Sequence, residues 1–257
     1  MKRIACSALC VAFVVVAAPG ISAPDGTGAR AQPHRLKPLR LRETCVTRAE
    51  RRRVLRFTAS DRVRLIGVVF GRGPRAVVLA HQGNSDLCIW APYARVLAAR
   101  GYRVLAFDHR GDGSSGRAGS RARKDRVDYD VLGAIRALRS RGATSIVLGG
   151  GSLGAAAVLS GAARANPPVN GVFSLSSPSQ YERINVLKAV GALRAPTLFV
   201  ATEEDEPFIT DARALYNACA ALQKQLRIFP GLEHGVDTLR DPNVQAAVDV
   251  FIALHSA

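Results

Sequence analysis

From about residue 50 onward, short runs of β-branched and aliphatic residues alternate with longer amphipathic stretches. RVLRFT and RVRLIGVVF read as two strands joined through the turn Ala59-Ser60-Asp61. RAVVLAH, Arg75–His81, is apolar almost throughout, the pattern of a strand buried on both faces. A helix is predicted from about Leu87 to Arg100, then the strand RVLAFD at Arg103–Asp108. The alternation continues with a helix at about Arg126–Ser140, the strand TSIVLG at Thr144–Gly149, a helix over Ser152–Ala165 and the strand NGVFSL at Asn170–Leu175. It ends with the strand APTLFVA at Ala195–Ala201, a helix through Ala221, the strand QLRIF at Gln225–Phe229 and an amphipathic helix from about Asn243 to His255. Strand–helix alternation of this kind predicts an α/β fold: a mostly parallel sheet flanked by helices on both faces. No internal repeat or low-complexity tract interrupts it, so one domain over residues 50–257 suffices.

The first residues follow a different pattern. MKRIACSALCVAFVVVAAPGISA has a basic start, an apolar run from about Ile4 to Ala18, and small residues ending at Ser22-Ala23. This is the layout of a secretory signal peptide over residues 1–23, cut after Ala23. The alternative, a membrane anchor, asks for a longer apolar run and a stop-transfer flank. Residues 24–49, rich in Pro, Gly, Ala and Arg near their start and without periodicity, read as a flexible arm. Export makes the cysteines informative. Cys6 and Cys10 leave with the signal, and Cys45, Cys88 and Cys219 remain. In an oxidising compartment an odd count suggests one disulfide and one leftover thiol. Cys45 and Cys88 both sit in loop-like segments and are the expected pair, whereas Cys219 lies in the helical pattern DARALYNACAAL and reads as a small buried hydrophobe.

The formal net charge of +16 favours anionic surfaces or substrates. The arginines are nevertheless spread along solvated helix faces. The densest runs, Arg51–Arg53 and Arg121–Arg126, carry almost no interleaved aromatics and no nucleic-acid motif, so no nucleic-acid partner is expected.

The candidate chemistry lies in the loops at the carboxyl ends of the strands, where ligands of such sheets bind. VLGGGSLGAA, Val147–Ala156, fits two patterns. Gly149, Gly151 and Gly154 match the G-x-G-x-x-G loop of dinucleotide-binding folds, whereas Gly150, Ser152 and Gly154 match the G-x-S-x-G turn that presents a nucleophilic serine. The dinucleotide pattern needs an acidic residue at the end of the next strand, for the ribose. There is no Asp or Glu between Asp130 and Glu182, so no nucleotide cofactor is expected, and Gly149 and Gly151 complete that pattern only by coincidence. The serine reading needs an imidazole to take the hydroxyl proton and a carboxylate to orient that imidazole. Asp205, at the end of APTLFVA, and His234, just after QLRIF, follow Ser152 in that order on separate strand-end loops. No Cys/His or His/Asp cluster has metal-ligand spacing, so no metal is expected.

Here the chain resembles the α/β-hydrolase fold superfamily, over nearly all of residues 50–257. The resemblance is carried by Gly150-Gly151-Ser152-Leu153-Gly154, by Thr202-Glu203-Glu204-Asp205, by the G-x-x-H-G turn Gly231-Leu232-Glu233-His234-Gly235, and by Asp108-His109-Arg110-Gly111-Asp112-Gly113-Ser114-Ser115-Gly116, which is similar to a structural D-x-R-G-x-G-x-S segment. It implies a mostly parallel sheet of about eight strands. It also implies Ser152 as nucleophile, His234 as base and Asp205 as its partner, with Glu203 and Glu204 competing for the acid role. An oxyanion hole would be formed by the backbone N–H of Leu153 and one from the loop His81-Gln82-Gly83-Asn84. Gln82 stands where the family often has glycine; the N–H of Gly83 is the expected second donor, with that of Gln82 as the alternative. His81 corresponds to a non-catalytic histidine of the family. His34, His109 and His255 read as surface residues, Asp211 as a first-turn helix residue, and Asp237 as too close to His234 in sequence to be its partner. Only the short stretch Ser176–Ala195 follows NGVFSL, room for one helix and no large cap domain. These features together imply a secreted serine hydrolase acting on a small-molecule ester or thioester. A peptidase or amidase on the same fold, and a non-catalytic binding protein, are the alternatives.

Overall fold

A computed structural model of the chain describes residues 37–256; the segment read as a signal peptide, the first part of the arm and His34 lie outside the described residues. In chain order the elements are α1 (Arg48–Arg51), β1 (Val54–Thr58), β2 (Arg64–Phe70), β3 (Arg75–Ala80), α2 (Ala91–Ala99), β4 (Arg103–Phe107) and α3 (Val127–Arg139). These are followed by β5 (Ser145–Gly151), α4 (Leu153–Ala162), β6 (Gly171–Leu175), β7 (Gln180–Tyr181), β8 (Ile184–Asn185), α5 (Val186–Val190), β9 (Thr197–Thr202), α6 (Phe208–Ala218), β10 (Lys224–Phe229) and α7 (Pro242–His255). Eight strands form one sheet in the order β1-β2-β4-β3-β5-β6-β9-β10. β2 pairs antiparallel with both β1 and β4, and every other pairing is parallel.

Successive side chains of a strand point to opposite faces, and both faces of this sheet are covered. Along β3, Ala76, Val78 and Ala80 pack into the layer that holds Val131 and Leu138 of α3, Ala156 and Leu159 of α4, and Leu215 of α6. Val77 and Leu79 pack into the opposite layer, with Trp90, Leu97 of α2 and Val248 and Ile252 of α7. A strand walled on both sides has no polar face, which accounts for the unbroken apolar run of RAVVLAH. The chain leaves β3 towards β4 on one side and β5 on the other. This reversal opens a crevice beyond the carboxyl ends of β3 and β5, where His81–Asn84 and Ser152 lie.

Three local readings differ from the structure. The expected helix from Leu87 begins instead as a 3-10 turn over Leu87–Trp90, and α2 starts at Ala91 with a proline in its first turn, the position where a fixed φ and a missing N–H cost nothing. The stretch Ser176–Ala195 holds the β7–β8 hairpin as well as α5. The compact unit begins at Pro38 rather than at residue 50, so the last part of the expected arm is fastened down. Val46 and Glu43 are buried, α1 is closed by a capping box between Thr47 and Glu50, and a disulfide joins Cys45 to Cys88. Arg95 of α2 donates to the Glu50 carboxylate at 2.8 and 2.9 Å and to the Cys45 carbonyl at 2.7 Å. Isolated apolar residues and a four-residue helix carry no periodicity to read.

The disulfide closes 43 residues of chain. Cys88→Ser is expected to destabilise the fold by about 2–4 kcal/mol, seen as a lower urea midpoint with a steeper slope, because the unfolded chain without the cross-link exposes more surface.

Candidate active site

Ser152 is the residue between β5 and α4, and it has φ 51° and ψ −116°. A non-glycine residue in that region is strained by about 1–3 kcal/mol, a strain that surrounding packing must hold. The packing is made of glycine: a Cβ on Gly150 would overlap the Gly154 carbonyl, and one on Gly154 would overlap the Ala80 carbonyl. With no side chains there, the first turn of α4 lies directly on the ends of β5 and β3. Gly149 and Gly151 have steric reasons of their own. A Cβ on Gly149 would strike the Phe173 ring and one on Gly151 would press on Val236, so all four glycines of the loop are sterically required. Leu153 opens α4, and its N–H is one of the first-turn donors that have no intrahelical acceptor.

Asp205 follows β9 and is buried, whereas Glu203 and Glu204 beside it are exposed. His234 sits between β10 and a 3-10 turn over Gly235–Arg240. Its Nδ1 lies 3.0 Å from each Asp205 carboxylate oxygen. With Nδ1–H donating to the carboxylate, Nε2 is the free ring position. The ring of Phe208 packs against the imidazole at a tilt of 47° and a centroid distance of 4.2 Å. Asp237 turns away and pairs with Arg240 at 2.8 Å. Ser152 Oγ makes no hydrogen bond among the described residues, a looseness common in such sites before substrate is bound. Its closeness to the histidine loop is nevertheless fixed: a Cβ built on Gly235 would stand 3.6 Å from Ser152 Cβ.

Three side chains hold that loop, and none was singled out for this by sequence. The Val236 N–H donates to Gln82 Oε1 at 2.8 Å, and the Gly235 N–H donates to Ser176 Oγ at 3.0 Å. Thr202 Oγ1 adds a bond to the Glu233 carbonyl at 2.9 Å. Gln82 is therefore more than a departure from the family's glycine, since its amide pins the backbone that follows His234. Gly83 is exposed on an open turn. Nothing in the amino-acid pattern marks Gln82 or Ser176, because their partners are backbone N–H groups more than fifty residues away.

The histidine at the end of β3 plays a different part. His81 Nδ1 bonds to the Gln82 carbonyl at 2.8 Å, and its Nε2 accepts the His109 N–H at 3.0 Å. Burial pushes its pKa down to about 3, with the neighbouring His109 adding to the effect, so it is a neutral structural brace. His109 is a correction to its reading as a surface residue: it is fully buried between His81 and Phe107, with Nδ1 3.5 Å from Asp130. The polar neighbours of His109 in the chain suggested solvent, but the loop folds back over the ends of β3 and β4. Asp211 does lie in the first turn of α6, and its carboxylate accepts the Ser179 N–H at 3.0 Å.

Asp108 is also buried and accepts N–H bonds from Leu87 at 2.9 Å and Ser114 at 2.8 Å. Ser114 Oγ donates in turn to the buried Glu43 carboxylate at 2.7 Å. Burial first, then the charge of Glu43, push the Asp108 pKa up to about 8, against the pull of the two N–H bonds. The folded protein therefore holds this proton across a range where the unfolded chain, with a carboxyl pKa of about 3.9, has released it. Stability from this group is full below about pH 4 and declines as pH rises towards 8. Asp108→Asn is expected to flatten the dependence of Tm on pH across that window; an unchanged slope counts against the assignment.

The sheet order and the strained serine turn give the chain the fold of α/β hydrolases. A family model described as serine aminopeptidase, S33, matches residues 73–184. No curated protein matches the chain in sequence. Among solved structures, an esterase of Pyrococcus furiosus is similar at TM-score 0.68 and 18% identity, covering 79% of this chain and 92% of its own. An esterase of Rhodococcus sp. is similar at TM-score 0.62 and 17% identity, covering 79% and 99%. A monoacylglycerol lipase of Paleococcus ferrophilus is similar at TM-score 0.62 and 17% identity, covering 74% and 98%.

Proposed function

We propose that the chain is a secreted serine hydrolase that cleaves carboxylic esters or thioesters through an acyl-enzyme. Ser152 Oγ attacks the acyl carbonyl while His234 Nε2 takes its proton, and Asp205 holds the imidazole tautomer and stabilises its cation. The oxyanion is met by the N–H of Leu153 and that of Gly83, with Gln82 as the alternative second donor. The tetrahedral intermediate collapses as His234 returns the proton to the leaving alcohol or thiol. Water, activated by the same imidazole, then releases the acid.

The observation that carries this reading is the 3.0 Å approach of His234 Nδ1 to both Asp205 oxygens, on a loop whose Gly235 faces Ser152. The site is shallow: the His234 side chain is 34% exposed, and only the hairpin and a five-residue helix follow β6. This suits small esters or esters displayed on a surface. Secretion is supported by the signal-like pattern of residues 1–23 and by the disulfide, which belongs in an oxidising compartment. A second reading, peptide-bond cleavage, is favoured by the match of residues 73–184 to the serine aminopeptidase family model.

A fluorophosphonate probe tests the nucleophile. Labelling that disappears in Ser152→Ala supports the enzyme, and a folded protein that takes no label points to a non-catalytic binder. p-Nitrophenyl esters of increasing acyl length, set beside aminoacyl p-nitroanilides, then separate esterase from peptidase.

A further inference from the structure

Away from Ser152, the far end of α4 carries a cleft of about 360 Å³, closed by the start of α3, the β7–β8 hairpin and α5. Arg126, Arg164, Arg183 and Lys188 line it, against a single acid, Asp128. None of these residues belongs to the hydrolytic site, and Ser160 stands roughly 12 Å along the helix from Ser152 at 1.5 Å per residue.

Two of the four cations are already fixed in place. Asp128 is buried and binds Arg126 at 2.8 Å and Arg164 at 2.6 Å. Both guanidinium groups also stack on the Tyr129 ring, at 3.8 and 4.7 Å from its centroid. Arg126 reaches Asp128 through Nε and Nη2, and Arg164 through Nη1. Nη1 of Arg126, and Nε and Nη2 of Arg164, therefore keep their donors for something else. One carboxylate balances one of the two charges and leaves the other uncompensated.

Arg183 and Lys188 are exposed, and their side chains have no hydrogen-bond or ion-pair partner among the described residues. The wall holds a further sign of a missing ligand. Ser160 lines the cleft, is 3% exposed, and its hydroxyl is buried without a partner. A buried hydroxyl left unpaired costs free energy that a ligand oxygen would recover. The floor, including Ile184 and Ala189, is apolar.

We propose that this cleft binds a phosphate-type oxyanion. Guanidinium forks match phosphate oxygens two at a time, and two pre-positioned arginines lose little freedom on binding. Four cations against one acid call for a multiply charged group rather than a lone carboxylate. The apolar floor accommodates an organic body attached to it. Free phosphate, a soluble phosphate ester and an anionic lipid headgroup present the same chemistry.

The test titrates the whole protein with inorganic phosphate at constant ionic strength, and floats it with vesicles of phosphatidylglycerol or phosphatidylcholine. Arg183→Gln/Lys188→Gln removes the two unpaired cations, and Arg213→Gln/Arg227→Gln removes the same charge from exposed positions elsewhere. Saturable phosphate binding, weakened about tenfold or more by the first pair and not by the second, supports the site; tenfold corresponds to about 1.4 kcal/mol. Flotation with phosphatidylglycerol alone, lost in the same variant, supports it with a lipid headgroup as the source. Absence of both kinds of binding, or equal loss in the two double variants, overturns it. The readout is binding, so it stands whether or not Ser152 proves to be a nucleophile.

Discussion

His234→Ala is expected to lower kcat on an activated ester by about 10⁴- to 10⁶-fold with little change in KM. A serine hydroxyl is a poor nucleophile at neutral pH unless a base removes its proton as it attacks. Among the described residues His234 is the imidazole placed for this: His81 has both ring nitrogens engaged, and His109 is buried against Phe107 and Asp130. Asp205→Asn is expected to cost about 10⁴-fold, because an amide in that position favours the wrong tautomer of the imidazole. Glu203→Gln and Glu204→Gln should leave kcat within a few-fold, since both side chains are exposed beside the buried Asp205. The double variant His234→Ala/Asp205→Asn should be no worse than His234→Ala alone, as the carboxylate acts only through the imidazole. Initial rates normalised to folded protein decide the matter. A loss below a hundredfold in His234→Ala, or full additivity in the double variant, contradicts these roles.

The sheet was legible because buried parallel strands must be apolar on both faces, and the chain writes that as runs such as RAVVLAH. Ser152, Asp205 and His234 each follow the carboxyl end of a strand, so sequence alone places them on one rim. The parts that were not legible depend on what faces a residue across the fold. Gly149 resembled half of a nucleotide loop until Phe173 of β6 was placed against it. Gln82 read as a substitution for glycine, yet its meaning lies in the Val236 N–H. His109 read as exposed because its chain neighbours are polar. Residues 41–46 read as arm because their anchors, Ser114 and Cys88, are distant in sequence and carry no shared period.

Arg110→Met is expected to be the most destabilising single change outside the apolar core, at about 3–5 kcal/mol. Arg110 is buried, and all five of its side-chain N–H groups have acceptors: Nε and Nη2 donate to Asp130, Nη1 and Nη2 to Asp61, and Nη1 to the Arg123 carbonyl, at 2.7 to 2.9 Å. Burial opposes the charge, but the bonds to Asp61 and Asp130 outweigh it and hold the guanidinium pKa above its usual value. One side chain thus joins the β1–β2 turn, the loop after β4 and α3. Methionine keeps the volume of the stem and loses the charge, which strands Asp130 fully buried without its cation. Most of the cost is that orphaned carboxylate rather than the lost attraction, because a buried pair barely repays its own desolvation. The double variant Arg110→Met/Asp130→Asn is therefore expected to be more stable than Arg110→Met alone. Urea midpoints of the two variants and the parent test this ordering. A double variant that falls below Arg110→Met would place the stabilisation in the attraction itself and refute the argument.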